Sequence, residues 1–271
     1  MEYVEAGGAR IPALGLGTWQ NTGPQCAQTV ETALELGYRH VDTAQAYDNE
    51  RQVGQGLAAA DVDRDEVVVA TKLDSRNLGY DEVHRHARQC RDRLGVDTID
   101  LLYVHWPIRT YDPEATLSAM DDLHDQGLIS RVGLSNFTPE LLTEALDVLD
   151  APLFAHQVEC HPLLPQEELR RHAREHDHYL VAYSPLAKGK VLDVPELVDV
   201  ADAHDATAAQ VSLAWLHAKD NVVAIPKAAT PAHIRENYAA RDIELTDDET
   251  ERIDGIERRE RVVDFDAAPW N

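Results

Sequence analysis

Lysine is nearly missing from this sequence. Five are present, Lys72, Lys188, Lys190, Lys219 and Lys227, among 271 residues that carry 49 acidic side chains and a formal net charge of −24. A field this negative excludes a nucleic-acid binder and a partner of anionic lipid, because both ligands are polyanions. The acids do not gather in one tail. Runs such as 61–66 and 247–249 read as solvated helix ends and loops. The global excess resembles a salt-adapted protein, in which self-repulsion destabilises the fold in dilute buffer and is screened in strong salt. Its melting temperature is therefore expected to rise from dilute to molar salt, and a fall would contradict this reading.

Cysteine is also scarce. Cys26, Cys90 and Cys160 form an odd set without CxxC spacing, which argues against a disulfide framework and for reduced thiols in a cytoplasm. The opening residues Met1–Glu5 lack a basic segment followed by an apolar one, so no signal peptide is expected. No apolar run approaches the roughly 18 residues of a membrane helix. A chain this long can bury enough surface to fold without disulfide or metal.

What is present is a repeat. Runs rich in Val, Ile and Leu fall at 14–18, 40–44, 67–73, 99–106, 129–135, 154–159, 180–184 and 222–226. Apolar on consecutive positions, they predict strands buried on both faces, as in parallel sheet. Amphipathic stretches lie between them. Segments 25–36, 81–94 and 113–126 each end at or beside a glycine, and Thr138-Pro139-Glu140 opens another helix. Segments 166–176, 208–218 and 232–239 complete the set. The expected fold is α/β, a (β/α)8 TIM barrel in one domain spanning 1–271. Residues 2–13 read as an N-terminal β-hairpin under the barrel, turning at Gly7-Gly8. One further helix and a loop, 262–271, follow Thr246. An open doubly wound sheet would instead need a glycine fingerprint after its first strand. The GxGxxA match at 54–59 follows no strand, and its glycines read as helix-packing positions.

Barrel chemistry sits at the C-terminal strand ends. Those positions hold Asp42 and Tyr47 after the second strand, Lys72 at the end of the third and His105 at the end of the fourth. Alone, Asp42 could cap a helix, Tyr47 could be a rim aromatic, Lys72 a surface lysine and His105 an ordinary polar residue. Together, from three neighbouring strands, they form a proton-handling unit. A tyrosine of pKa about 10 is a poor acid–base catalyst at neutral pH, and an adjacent ammonium lowers that pKa. Lys72 can supply the ammonium, and Asp42 can hold it in place. His105 can donate to a substrate oxygen while Tyr47 delivers the proton. No nucleophile–base pair suggests acyl transfer.

Asp42, Tyr47, Lys72 and His105-Trp106-Pro107 resemble the catalytic tetrad of the aldo-keto reductases, and the likeness runs along the whole chain. It includes Gly15-Leu16-Gly17-Thr18-Trp19, the stretch 37–44 with Asn49-Glu50, residues 132–137, Gln157-Val158-Glu159, and Ile225-Pro226-Lys227 with Glu236-Asn237. The resemblance implies reduction of aldehydes or ketones with NADP(H), NAD(H) being a second coenzyme, and Tyr47 as general acid. It implies that Thr18, Trp19 and Asp42 border the cofactor and that Ser135, Asn136 and Gln157 bind the nicotinamide amide. It implies that Tyr183 stacks on the ring and that Ser184, Pro185 and Leu186 line the pyrophosphate beneath the loop 188–190. It further implies that Ile225, Pro226 and Lys227 meet the adenosine ribose, with Glu236 and Asn237 at the adenine. The family often has serine after that lysine and arginine six residues on. Here Ala228 and His233 stand there, removing partners for a 2′-phosphate and weakening the expected preference for NADPH.

Trp19, Trp106, Phe265 and Trp270, with Tyr47 and His105, are the expected substrate walls. His84 with His86, and His172 with His176 and His178, read as surface histidines, and no metal site is expected. The short tail suggests an open pocket for a small-molecule carbonyl substrate, and the family suggests a monomer. Two other readings stand beside the reductase: a nucleotide-binding regulatory subunit with little turnover, and a Schiff-base enzyme using Lys72. The complete tetrad disfavours the first, and Asp42 beside Lys72 the second.

Overall fold

In the computed structural model, which describes residues 3–271, the strand–helix repeat closes into a (β/α)8 barrel. A hairpin of β1 (Tyr3–Ala6) and β2 (Ala9–Pro12) precedes it. The eight parallel strands are β3 (Leu16–Gly17), β4 (His40–Asp42), β5 (Val68–Leu73), β6 (Leu101–Val104), β7 (Val132–Ser135), β8 (Leu153–Glu159), β9 (Tyr179–Tyr183) and β10 (Val222–Ala224), each beside its sequence neighbours. The last meets the first through parallel bridges Leu14–Ala224 and Gly17–Lys227. Gly17 is needed there: a Cβ would stand 2.7 Å from the Ile225 carbonyl oxygen.

Among the described residues ten α-helices accompany the strands: α1 (Gly23–Leu36), α2 (Glu50–Ala59), α3 (Tyr80–Leu94), α4 (Pro113–Asp125), α5 (Pro139–Val148), α6 (Glu167–Glu175), α7 (Pro195–Ala203), α8 (Ala208–His217), α9 (Pro231–Ala239) and α10 (Asp247–Asp254). Helix α7 adds to those expected from sequence. It starts on Pro195 at its first turn and buries Leu197, Val200 and Ala201. Several starts carry the caps that the sequence signals. Thr138 accepts from the Leu141 amide, and Thr246 and Glu249 form a capping box.

Two cores result. Inside the barrel, Leu101, Tyr103, Tyr179, Val181 and Val223 pack on Ile11 of the hairpin. The Tyr179 hydroxyl accepts from the Ala6 amide at 2.8 Å and donates to the Ala9 carbonyl at 2.6 Å, which ties the hairpin under the barrel floor as expected. Outside, the strands' other faces pack on the helices. Glycines 54 and 56 serve that layer: added Cβ atoms would stand 2.2 Å from the Leu94 carbonyl and 2.5 Å from that of Ala27. They let α2 approach α3 and α1, so the GxGxxA stretch is helix packing. The expectation of surface histidines is corrected at His172 and His178, which are buried, and at His84 and His86, which are half-buried. A polar pattern hid them because their imidazoles bond to each other, His172 Nδ1 to His178 Nε2 at 3.0 Å.

Candidate active site

The C-terminal ends of the strands surround a cavity of about 350 Å³. Strand β4 ends in Asp42, and the following left-handed turn at Asp48 aims Tyr47 back over the barrel mouth. Lys72 on β5 is fully buried, which is costly for an ammonium without a partner. Its Nζ lies 2.5 Å from Asp42 Oδ1 and 2.7 Å from the Thr43 carbonyl oxygen. The other Asp42 oxygen accepts from Gln157 Nε2 at 2.8 Å. The pair is thus hydrogen-bonded on both sides, the condition under which a buried ion pair is tolerated.

The ammonium stands 5.2 Å from the centre of the Tyr47 ring. Tyr47 meets His105 edge to face, with ring centres 5.8 Å apart. Burial raises the pKa of the Tyr47 phenol, and the Lys72 ammonium opposes that rise without cancelling it. The expected lowering by Lys72 therefore acts, but the net direction is upward, because desolvation is the larger effect. Tyr47 rests with its proton on. Burial pulls the Lys72 pKa down, and Asp42, then Tyr47, override it, leaving the group raised and charged. Burial, then Lys72, pushes His105 down to about 3, so its imidazole is neutral and can offer one N–H.

The opposite wall comes from β7, β8 and β9. Ser135, Asn136, Gln157 and Tyr183 line the cavity. Asn136 is left-handed, φ 65°, and its side chain is anchored three ways. Its Nδ2 donates to the His105 carbonyl at 2.9 Å and to Ser135 Oγ at 3.0 Å, and its Oδ1 accepts from the Tyr183 hydroxyl at 2.8 Å. Thr18, Trp19, Ser184, Ile225 and Lys227 complete the expected part of the lining. Of the residues expected to wall the substrate, Trp19, Tyr47, His105 and Trp106 reach the cavity. Phe265 and Trp270 instead pack on Trp106, with ring centres at 4.8 and 5.6 Å.

The remaining expected cofactor residues lie off the cavity. Pro185 accepts from Ser212 through its carbonyl, Leu186 precedes the 187–193 turn, and Pro226 is in the barrel-closing segment. Ala228 is buried and His233 exposed. Glu236 accepts from Thr207 Oγ1 at 2.9 Å, and Asn237 is buried on α9. Ala46 and Val263 line the cavity without having been expected. Val263 arrives from the tail because the buried Glu159 carboxylate accepts from the Val262 and Val263 amides at 2.6 and 2.7 Å. Lys188 lines the cavity, donates to the Val262 carbonyl at 2.8 Å and stands 5.5 Å from the Trp19 ring centre. Among the described residues no His, Cys, Asp and Glu cluster could hold a metal, and no helix is long and apolar enough to cross a membrane.

The chain shares this architecture with known proteins. The sequence profile of the Aldo/keto reductase family matches residues 13–258. An aldo-keto reductase of Mycobacterium sp. (strain KMS) is 39% identical over 260 residues, covering 94% of this chain and 92% of the relative. A solved structure provisionally described as a 2,5-diketo-D-gluconic acid reductase B superposes with a TM-score of 0.95 at 35% identity, over 99% of this chain and 96% of that one. The aldose reductase of Schistosoma japonicum superposes with a TM-score of 0.90 at 29% identity, over 96% and 94%. With its barrel and its oxidoreductase relatives, this chain belongs to the aldo-keto reductase family.

Proposed function

We propose that the protein is an NAD(P)H-dependent carbonyl reductase in which Tyr47 protonates the substrate oxygen. The observation that carries this reading is the buried Lys72–Asp42 pair beneath Tyr47, facing a wall of amide and hydroxyl groups across one cavity. The wall suits a nicotinamide. Gln157 Nε2 is committed to Asp42, which leaves the side-chain oxygen Oε1 of Gln157 as an acceptor for a carboxamide. Ser135 Oγ accepts from Asn136 and keeps its own proton to donate. Tyr183 offers an aromatic face. Three of the five lysines of this acidic chain lie at the same place: Lys188 and Lys227 in the lining, and Lys72 beneath it. Their positive field suits phosphate groups.

Ser135, Asn136 and Gln157 would hold the carboxamide, and Tyr183 would lie against the ring. Ser184 to Leu186 and Lys188 would follow the pyrophosphate. Lys227 would meet the adenosine ribose, with Glu236 and Asn237 further out. A bound reduced nicotinamide supplies the hydride. His105 donates a hydrogen bond to the carbonyl oxygen and sets its orientation. Tyr47 gives that oxygen its proton as negative charge develops there. Lys72 stabilises the phenolate left behind, and Asp42 keeps Lys72 charged and in place. Trp19 and Trp106 would wall the substrate side, with Phe265 and Trp270 backing Trp106. The chain would work as a single domain and a monomer, on a diffusible carbonyl compound in the cytoplasm.

Ala228 and His233 leave Lys227 as the cation for a 2′-phosphate. A charge-assisted contact is worth about 2 kcal/mol, which is about thirtyfold, so with Lys227 as the one such cation the NADPH-to-NADH ratio of kcat/KM should not exceed about thirtyfold. A panel of aldehydes, run with each coenzyme in strong salt, tests both points. Turnover with a small ratio supports the account. A preference of a thousandfold contradicts the coenzyme reading, and binding without turnover contradicts the reductase.

A further inference from the structure

Strand β8 carries a buried histidine that the chemistry above does not use. Gln157 points into the barrel mouth, and its neighbour His156 points the other way, into the layer between strands and helices. His156 is fully buried. Its Nε2 accepts from the backbone amide of Phe137 at 3.2 Å, so its proton sits on Nδ1, which has no partner among the described residues. Behind it stands His178, with ring centres 6.4 Å apart. His178 is held in turn by His172 and by the Tyr179 carbonyl.

Phe137 follows Asn136 directly. Asn136 is a non-glycine residue in the left-handed region, which persists only when its surroundings fix it. Its own amide donates to the Gln157 carbonyl at 3.0 Å, and its side chain joins His105 to Tyr183. The next amide, that of Phe137, points away from the cavity to the imidazole. The two amides flanking Asn136 Cα and C′ are thus both held by β8, one by its backbone and one by a side chain. Without an acceptor at His156, the buried Phe137 N–H would be left unsatisfied. The 136–137 peptide would then gain by rotating, and Asn136 would leave the left-handed region.

We propose that His156 is a positioning residue for the nicotinamide wall: by accepting the Phe137 amide it locks Asn136 in the conformation that bridges His105 and Tyr183. The proposal rests on the reductase reading for what the wall binds. The Phe137 contact itself does not depend on that reading.

The test uses the full-length chain with His156→Leu, which removes the acceptor, and His156→Gln, whose carbonyl oxygen reaches the place of Nε2. NADPH affinity is read from quenching of tryptophan fluorescence. Exchange of the Phe137 amide is read by NMR in protein labelled with [15N]phenylalanine, where the sequence gives three backbone signals. The leucine variant should bind NADPH about tenfold more weakly and lose the slow exchange of Phe137, while glutamine restores both to within about threefold. A folded leucine variant that binds NADPH like wild type overturns the proposal, as does a glutamine variant no better than leucine. If the leucine variant does not fold, fast exchange of Phe137 in the wild type, or in a glutamine variant that still binds normally, overturns it. Failure of the wild type to bind either coenzyme would strike the reductase reading, with slow Phe137 exchange still reporting the contact.

Discussion

Replacing Tyr47 with phenylalanine should lower kcat for aldehyde reduction by about a thousandfold, with coenzyme affinity nearly unchanged. General acid catalysis by a positioned side chain contributes about 10²–10⁴-fold, and nothing else at the mouth can take over the proton. His105 is neutral, with its pKa pushed down to about 3, so it offers a hydrogen bond but holds no extra proton to give. The raised pKa of Lys72 makes it a reluctant donor, and Asp42 takes up its nearest hydrogen bond. The net upward shift of Tyr47 means that the resting phenol carries its proton into the reaction. The ammonium 5.2 Å from the ring centre favours the phenolate as the proton leaves. Burial thus loads the acid, and the nearby charge assists its discharge. Stopped-flow or steady-state loss of NADPH absorbance measures the effect, and coenzyme titration provides the control. A variant retaining a tenth or more of wild-type kcat would remove Tyr47 from its assigned role.

Stability should fall steeply between pH 6.5 and pH 4. His40, His156 and His178 are buried, and burial lowers all three: His40 and His178 to about 4, and His156 well below its usual value. Unfolded, each titrates near 6.5. Below that pH the unfolded chain takes up protons that the folded chain cannot, so lowering pH favours unfolding; above it the three contribute no pH dependence. Each group is worth about 1.4 kcal/mol per pH unit in this window, and the three together roughly 4 kcal/mol per unit. Against a total stability of about 5–15 kcal/mol, the roughly 10 kcal/mol lost across this window removes most or all of it. Neutralising surface carboxylates relieves self-repulsion, but that sets in mostly near pH 4 and cannot rescue the upper part of the window. Urea midpoints at fixed high salt, taken every half unit from pH 8 to pH 4, should be flat at first and then drop. A midpoint unchanged between pH 7 and pH 5 would contradict the assignment of neutral buried imidazoles.

Much of the barrel was legible because strands buried on both faces write themselves as continuous apolar runs. Segment 67–73 maps almost directly onto β5, whereas 14–18 shrinks to the two residues of β3, since its ends form isolated bridges to the closing strand. The four residues proposed to handle the proton, Asp42, Tyr47, Lys72 and His105, could be picked out because their types are unusual at strand ends. What could not be read was anything set by distant proximity or by burial. Glu159 gives no sign in the sequence that it will pin residues more than a hundred positions away. The sign of the Tyr47 shift depends on how deeply the fold sinks its ring. His172 and His178 sit in a polar stretch whose pattern indicates solvent, and their burial follows from mutual hydrogen bonding that no local pattern encodes.

The account stands or falls on hydride delivery to a carbonyl carbon across this cavity, and the fate of a deuteron on C4 of the reduced nicotinamide tests it most directly. Unlabelled aldehyde is turned over with coenzyme deuterated on one face or the other, and the alcohol is analysed by mass spectrometry. The account predicts one deuterium at the carbinol carbon from one label and none from the other, because Tyr183 and the amide-binding wall present a single face. Alcohol free of deuterium from both labels, or labelled equally from each, would contradict it.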